Sequence, residues 1–222
     1  MAITIGFLHI GAFSEIVPIM IRSVRAAMPA ASIVQMTDQA TAPMAGVDQV
    51  IRKHYDGVHL MTYRLRHLSE FPSCEALFLD TDVVVQQDLS QLFEQTFDIA
   101  LTRRDKAIPT PNGVDVAKVA PYNTGVMLSK PSGSEFWLHA HDYCARMSDE
   151  YQKWWGDQLA VKAIAEVAPL RIMELPCEIF NYTPASERED LSGKAVVHYK
   201  GDRKAWMLRA GMIAAGRSRT GA

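Results

Sequence analysis

The stretch Ala76-Leu77-Phe78-Leu79-Asp80-Thr81-Asp82-Val83-Val84-Val85 constrains this chain more than any other, because an apolar run is broken by two carboxylates and then resumes. Apolar runs rich in branched side chains read as strands buried on both faces, the habit of parallel sheets covered by helices. An ionised carboxylate buried without a partner is strongly unfavourable, so Asp80 and Asp82 must lie at a strand end facing a cation, donors or water. In an extended chain residues i and i+2 point to one side, which lets both acids converge on one hard divalent ion. A solvated turn carrying an incidental Asp-x-Asp is the plain alternative.

The flanking sequence alternates strand and helix patterns. Ile3 to Leu8 reads as a strand, and Ile16, Ile19, Met20 and Val24 recur at helical spacing up to Met28-Pro29. Ser32 to Met36 reads as a second strand, Val47 to Ile51 as a short one, and His59 to Phe71 as a helix. Such alternation predicts an α/β domain whose ligands gather at the carboxyl ends of the strands. That places His9 to Phe13 and Asp38 at the expected nucleotide pocket.

Two separated segments carry a family resemblance. Leu79-Asp80-Thr81-Asp82-Val83-Val84-Val85, followed by Asp88-Leu89-Ser90-Gln91-Leu92-Phe93, resembles the metal-binding segment of retaining nucleotide-sugar glycosyltransferases of the glycogenin and lipopolysaccharide galactosyltransferase type, glycosyltransferase family 8-like. Far downstream, His198-Tyr199-Lys200-Gly201-Asp202-Arg203-Lys204-Ala205-Trp206 is similar to that family's His-x-x-Gly-x-x-Lys-Pro-Trp signature, with Ala205 in place of the proline. The resemblance spans roughly Ile3 to Trp206. It implies a single GT-A domain over residues 1–206, Rossmann-like with a mostly parallel central sheet, and leaves 207–222 as a basic, apolar tail.

The resemblance also implies roles. Asp80, Asp82 and His198 would hold Mn²⁺, with Mg²⁺ as the alternative, since an imidazole in an oxygen-rich set favours the softer ion. Lys204 would neutralise the departing diphosphate, Gly201 would make a tight turn, and Thr81 would lie against the donor. Arg64 is the nearest match to a donor-binding basic residue on the helix before the metal strand, with Arg66 as the fallback and a solvated helix face as the alternative. Asn123-Thr124-Gly125 resembles the Asn-x-Gly-Val segment that binds the transferred sugar, where Gly125 lets backbone approach closely. Asp157-Gln158 resembles the pair beside the reacting sugar, and Asp157 is equally a good N-cap for the helix that follows.

Other positions keep two readings. Phe13 either stacks on a base or enters the core, and Asp38 either binds a base edge or caps a turn. Trp154 and Trp155 either form an acceptor platform or bury, and Arg103 to Pro121, rich in proline and without periodicity, is either a lid or an irregular connection. Phe136, Ala140, Tyr143, Cys144 and Met147 predict a core helix on which His139, His141 and Asp142 are structural.

Composition excludes several classes. With 48% hydrophobic and 22% charged residues in 222, the chain is ordinary globular material and long enough for a large core. The 23 basic and 25 acidic residues give a formal charge of -2, so nothing points to nucleic acid. Cys74, Cys144 and Cys177 have no metal-type spacing and read as reduced thiols of a cytosolic protein. The residues near the start, broken by His9, Glu15 and Pro18, fit neither a signal peptide nor a membrane span. The tail with Arg209, Arg217 and Arg219 either touches the inner face of a membrane or packs on the domain.

The expectation is therefore transfer of a hexose, with retention, from a nucleoside diphosphate sugar, UDP-hexose first, to a saccharide, glycolipid or protein acceptor. A catalytically degenerate nucleotide-sugar-binding or scaffold protein is the alternative. A haloacid-dehalogenase-type phosphatase would need its Asp-x-Asp near the start and a later acidic pair, and a sugar nucleotidyltransferase would need a Gly-rich first loop. Neither pattern is present.

Overall fold

The computed structural model describes residues 3–219, with side chains as far as residue 211. In chain order the strands are β1 (Thr4–Leu8), β2 (Ser32–Thr37), β3 (Gln49–Arg52), β4 (Ala76–Leu79), β5 (Val83–Val85), β6 (Ile99–Arg103), β7 (Tyr122–Ser129), β8 (Ile172–Pro176) and β9 (Val196–His198). The helices are α1 (Ile16–Ala27), α2 (Leu60–Ser69), α3 (Val116–Val119), α4 (Ser134–Cys144), α5 (Asp149–Lys153), α6 (Gly156–Ala165), α7 (Cys177–Phe180) and α8 (Lys204–Arg219).

Seven strands form one sheet in the order β3-β2-β1-β4-β7-β6-β8. The pairs β3-β2, β2-β1, β1-β4 and β6-β8 are parallel, and β7 alone runs against both its neighbours. The mostly parallel α/β sheet expected from the sequence is therefore present. β7 is reversed because residues 104–121 return the chain to the same end of the sheet, and without a crossover spanning the sheet's length a neighbouring strand comes back antiparallel.

Both faces are covered. α1 turns Val17, Met20, Ile21 and Val24 onto Ile5, Phe7, Ile33 and Leu77 of the sheet. The opposite face meets α2, α4 and α6 through Leu65, Leu68, Phe136, Trp137, Ala140, Ala160 and Val161. Burial of these side chains at about 1.5–3 kcal/mol each is the main driving term. Tyr143, expected in the core of α4, is exposed instead, while Cys144 beside it is buried.

The apolar run around the two acids is not one strand. β4 belongs to the large sheet, whereas β5 pairs antiparallel with β9 in a separate two-stranded ribbon. Asp80, Thr81 and Asp82 form the link between them, so the acids lie on a turn rather than in extended chain. α8 starts at Lys204, ahead of the expected boundary at 206, and Met207 is buried in the same core as α1. The side chains of Met212, Ile213, Arg217 and Arg219 of the expected tail lie outside the described residues. Among the described residues, no helix is long and apolar enough to cross a membrane.

Candidate active site

The link after β4 is held from two sides. The Asp80 amide donates to the Gly125 carbonyl at 2.9 Å, and the Tyr199 amide donates to the Asp82 carbonyl at 2.8 Å. Because β7 is antiparallel to β4, its first residues Asn123, Thr124 and Gly125 arrive at the end of β4 where Asp80 begins. The ribbon register sets Val83 opposite His198, which delivers the imidazole beside Asp82.

His198 Nε2 lies 3.0 Å from Asp82 Oδ1 and 3.5 Å from Asp80 Oδ2. Its Nδ1 lies 2.7 Å from Asn181 Oδ1, and Asn181 Nδ2 donates to Thr102 Oγ1 at 2.7 Å. That chain fixes the amide so that its oxygen faces Nδ1, which leaves Nε2 as the ring nitrogen that faces the carboxylates. Gly125 is required for this placement: a Cβ there would fall 2.4 Å from His198 Cε1. The glycine accordingly makes room for the imidazole, where the sequence suggested room for a ligand.

One ligand atom from each of Asp80, Asp82 and His198 lies within 4.8 Å of the others. Neighbouring ligands on an octahedral ion with bonds of about 2.1 to 2.5 Å stand roughly 3.0 to 3.5 Å apart, so the separations of Nε2 from the two carboxylates suit a divalent cation. The donor set of two carboxylates and one imidazole suits a divalent first-row metal ion. Burial raises the pKa of Asp82, but His198 and Lys204 outweigh it and hold the carboxyl down at about 2. Lys204 Nζ stands 3.2 Å from Asp82 Oδ2.

Arg64, on the cleft side of α2, ties Asp80, Thr124 and Asp157 together. Its guanidinium donates to Asp157 Oδ2 at 2.9 Å, to the Thr124 carbonyl at 2.6 Å and to Thr124 Oγ1 at 3.2 Å, and it pairs with Asp80 Oδ1 at 2.8 Å. Burial disfavours the charged guanidinium, yet Asp80 and Asp157 hold its pKa above the ordinary value. Asp157 is buried and also accepts from Thr124 Oγ1 at 2.8 Å. It does not cap α6 from outside; Trp155 takes the N-cap position and Asp157 sits within the first turn.

Around these residues is a cleft of about 480 Å³ whose lining includes Asp80, Thr81, Asp82, Asn123, Thr124, Gln158, Gly201 and Lys204. Trp154 and Trp155 border it and are 63% and 39% exposed, so neither is a core residue. Trp155 has φ 71, a left-handed conformation that costs a non-glycine residue about 1–3 kcal/mol and recurs at ligand sites. Gly201 makes its turn at φ 58.

No family model matches this chain, and no curated protein is similar to it in sequence. Solved structures do match. The galactosyltransferase LgtC, in complex with donor and acceptor sugar analogs, superposes with TM-score 0.64 over 96% of this chain and 95% of that one, at 17% identity. A glycosyltransferase involved in glycosylation of the major capsid of PBCV-1 gives TM-score 0.64 over 96% of this chain and 100% of that one, at 15% identity. GlyE of Streptococcus pneumoniae gives 0.62 over 96% of this chain and 63% of that one, at 16% identity. The chain has the GT-A fold of these glycosyltransferases.

Within the GT-A domain, Asp80, Asp82, His198, Asp157, Gln158 and Arg64 converge on one cleft, whereas two expected donor residues stand apart. Phe13 is 72% exposed and borders a different groove, between α1 and α8, with Pro18, Ile19 and Leu208. At that exposure Phe13 is not a core residue. Asp38 Oδ1 accepts from the amides of Ala40 and Thr41, the turn-capping role, and the Asp38 side chain does not line the cleft. Arg66 pairs with Glu70 on the outer face of α2.

Three residues of the site escaped the sequence reading. Asn181 orients His198. Arg104 donates to Gln158 Oε1 at 2.6 Å, to the Tyr122 carbonyl at 2.7 Å and to the Ala120 carbonyl, which anchors the ends of the 104–121 loop. Lys200 lines the cleft, and burial together with nearby Arg104 lowers its pKa to about 8. The loop itself holds a one-turn helix, α3, and a bridge between Pro109 and Asp115. Lys200 stands inside the His-x-x-Gly segment, which was the available signal; Arg104 and Asn181 carried none.

Proposed function

We propose that this chain is a metal-dependent glycosyltransferase that moves a hexose from a nucleoside diphosphate sugar, UDP-hexose first, to a saccharide, glycolipid or protein acceptor with retention of configuration. The observation that carries the reading is the Asp80–Asp82–His198 set, placed at the carboxyl end of β4 in a cleft that also contains Arg64, Asp157, Gln158 and Lys204. Bound there, Mn²⁺ would supply Lewis-acid stabilisation of the diphosphate.

The chain's own residues do the rest. Lys204 faces the same end of the cleft as Asp82 and offsets charge that builds on the leaving diphosphate. Asn123, Thr124 and Asp157 position the sugar hydroxyls, and Arg64 holds the Asp157 carboxylate in place. Asp157 Oδ2 already accepts from both Arg64 and Thr124, so that oxygen is engaged, while Oδ1, which accepts from the Gln158 amide, keeps room for a sugar hydroxyl. An oxygen so engaged is a poor nucleophile, which supports attack by the acceptor on the face the diphosphate leaves, with Gln158 beside the reacting carbon.

Calorimetric titration of a panel of nucleoside diphosphate sugars, with and without Mn²⁺, tests the reading on the wild type, Asp82→Asn and His198→Ala. Metal-dependent binding of one donor, weakened at least about 10-fold in both variants, is the expected result. Donor binding that ignores the metal and both substitutions would instead favour a binding protein that has lost transfer.

A further inference from the structure

We propose that Arg104 is a positioning residue for the transfer step: it holds the Gln158 side-chain amide by its oxygen, so that Gln158 meets the transferred hexose as a hydrogen-bond donor through Nε2. The proposal rests on the glycosyl-transfer reading and assigns how Gln158 acts within that same site.

The orientation follows from what each group can do. A guanidinium has donors and no acceptor, so the end of an amide that it holds is the oxygen. Arg104 donates to Gln158 Oε1 at 2.6 Å, which decides the end of the Gln158 amide that is left over. Among the described residues Nε2 makes no hydrogen bond, and it is not one of the buried atoms that lack a partner. It is the open end of a side chain that lines the cleft. A cation on the oxygen also polarises the amide, which strengthens its N–H groups as donors.

Arg104 is itself held still. Its backbone amide donates to the Pro121 carbonyl at 2.8 Å, and its guanidinium donates to the Tyr122 carbonyl at 2.7 Å and to the Ala120 carbonyl. One side chain thus joins the start of β7, where Asn123 and Thr124 follow Tyr122, to the first turn of α6. Arg64 makes the matching link between Thr124 and Asp157. Positive charge builds on the reacting carbon during glycosyl transfer, and the positive end of an amide dipole opposes it. The partner of Nε2 is therefore a hydroxyl oxygen of the hexose rather than the reacting carbon.

Nuclear magnetic resonance reads the positioning directly. In ¹⁵N-labelled protein the Gln158 side-chain NH₂ signals, identified by their absence from Gln158→Ala, should be as rigid as the backbone in the wild type and mobile in Arg104→Met. Equal mobility in the two proteins, high or low, would overturn the proposal. Kinetics read the consequence, as release of nucleoside diphosphate from UDP-glucose, UDP-galactose or GDP-mannose with Mn²⁺ and water as acceptor. Arg104→Met should lower kcat about 10- to 100-fold, the cost of a misplaced contact near the chemistry, with donor KM within about 2-fold of wild type. Arg104→Lys, which keeps a donor, should restore part of the loss. Gln158→Glu keeps an oxygen for Arg104 but has no N–H to give, so it should lose a similar factor in kcat with no fall in Tm.

In the Gln158→Ala background, Arg104→Met should cost less than about 3-fold more, because its effect passes through the missing amide. Losses that multiply would overturn the proposal, since Arg104 would then serve the fold or touch the substrate itself. A Gln158→Glu variant with wild-type kcat would do the same, since the N–H would be dispensable. If the wild type turns over one of the three donors and the variants fail either measurement, only this proposal falls; if it neither binds nor turns over any, the glycosyl-transfer reading falls and takes the role of Gln158 with it.

Discussion

Gly125→Ala is the smallest change that should dismantle the proposed metal site. Gly125 lies in β7 and is not among the positive-φ glycines, so alanine meets no backbone strain there. The obstacle is the added methyl, 2.4 Å from His198 Cε1 and 2.5 Å from Nδ1. Carbon pairs sit at about 3.5 Å or more, so the imidazole must withdraw by roughly 1 Å. It cannot do so freely, because Asn181 holds Nδ1 at 2.7 Å and the ribbon holds the His198 backbone through Tyr182. Metal–ligand distances tolerate only about 0.2 Å, so the ligand is effectively lost.

Mn²⁺ affinity should therefore fall about 100-fold, the upper end of what displacing ligand support costs. Overpacking should lower stability by about 1–3 kcal/mol, and in a domain this size each kcal/mol is about 2–4 °C in Tm. Calorimetric Mn²⁺ titration reads the first quantity and thermal unfolding in chelator the second. His198→Ala is the comparison, because it removes the ligand without the clash. A Gly125→Ala protein that binds Mn²⁺ as tightly as wild type would refute the reasoning, since the imidazole would then not need the space the glycine leaves.

Two further outcomes follow from buried groups. Asn181→Ala leaves the Nδ1 of His198 without its partner, so Mn²⁺ affinity should drop about 10- to 100-fold while stability falls by about 1–3 kcal/mol; unchanged Mn²⁺ titration would remove Asn181 from the site. His67 on α2 is fully buried with neither ring nitrogen bonded, and burial, aided by Lys53, lowers its pKa to about 4. The unfolded chain takes up that proton near pH 6.5 and the folded one near 4, so stability should fall as pH drops through that window, by up to about 3 kcal/mol. Urea midpoints at pH 7 and 4.5 check this, and the His67→Phe variant should lose most of that contribution.

How much of the site was legible depended on whether a residue's role was local. Asp80 and Asp82 announced themselves because charge inside an apolar run demands a partner. Their geometry did not, since nothing local says that β4 and β5 enter different sheets. His198 carried no signal of its own and was reached only through resemblance of its segment. Arg104 and Asn181 were invisible for the same physical reason: each works through a neighbour brought near by folding, Gln158 in one case and His198 in the other. Phe13 and Asp38 were placed by the rule that ligands gather at strand ends, and neither borders the cleft, because the rule says where a loop begins and not which of its side chains face inward.

The two-stranded ribbon explains why His198 can join Asp80 and Asp82 from so far along the chain. Val83 opposite His198 and Val84 opposite Val197 fix the register, and the Tyr182 segment adds a parallel bridge on the other side of Val197. A slip of one residue would turn His198 to the opposite face and put a valine beside Asp82. The Val85 amide donates to Ser23 Oγ of α1, so the ribbon is also tied to the helix that covers the main sheet. Asp80 follows directly on the main sheet, Asp82 opens the ribbon and His198 closes it. A cation held by all three would therefore join the seam between the sheets, and because it would bind the folded arrangement and not the unfolded chain, its binding free energy would add to the docking of one sheet on the other.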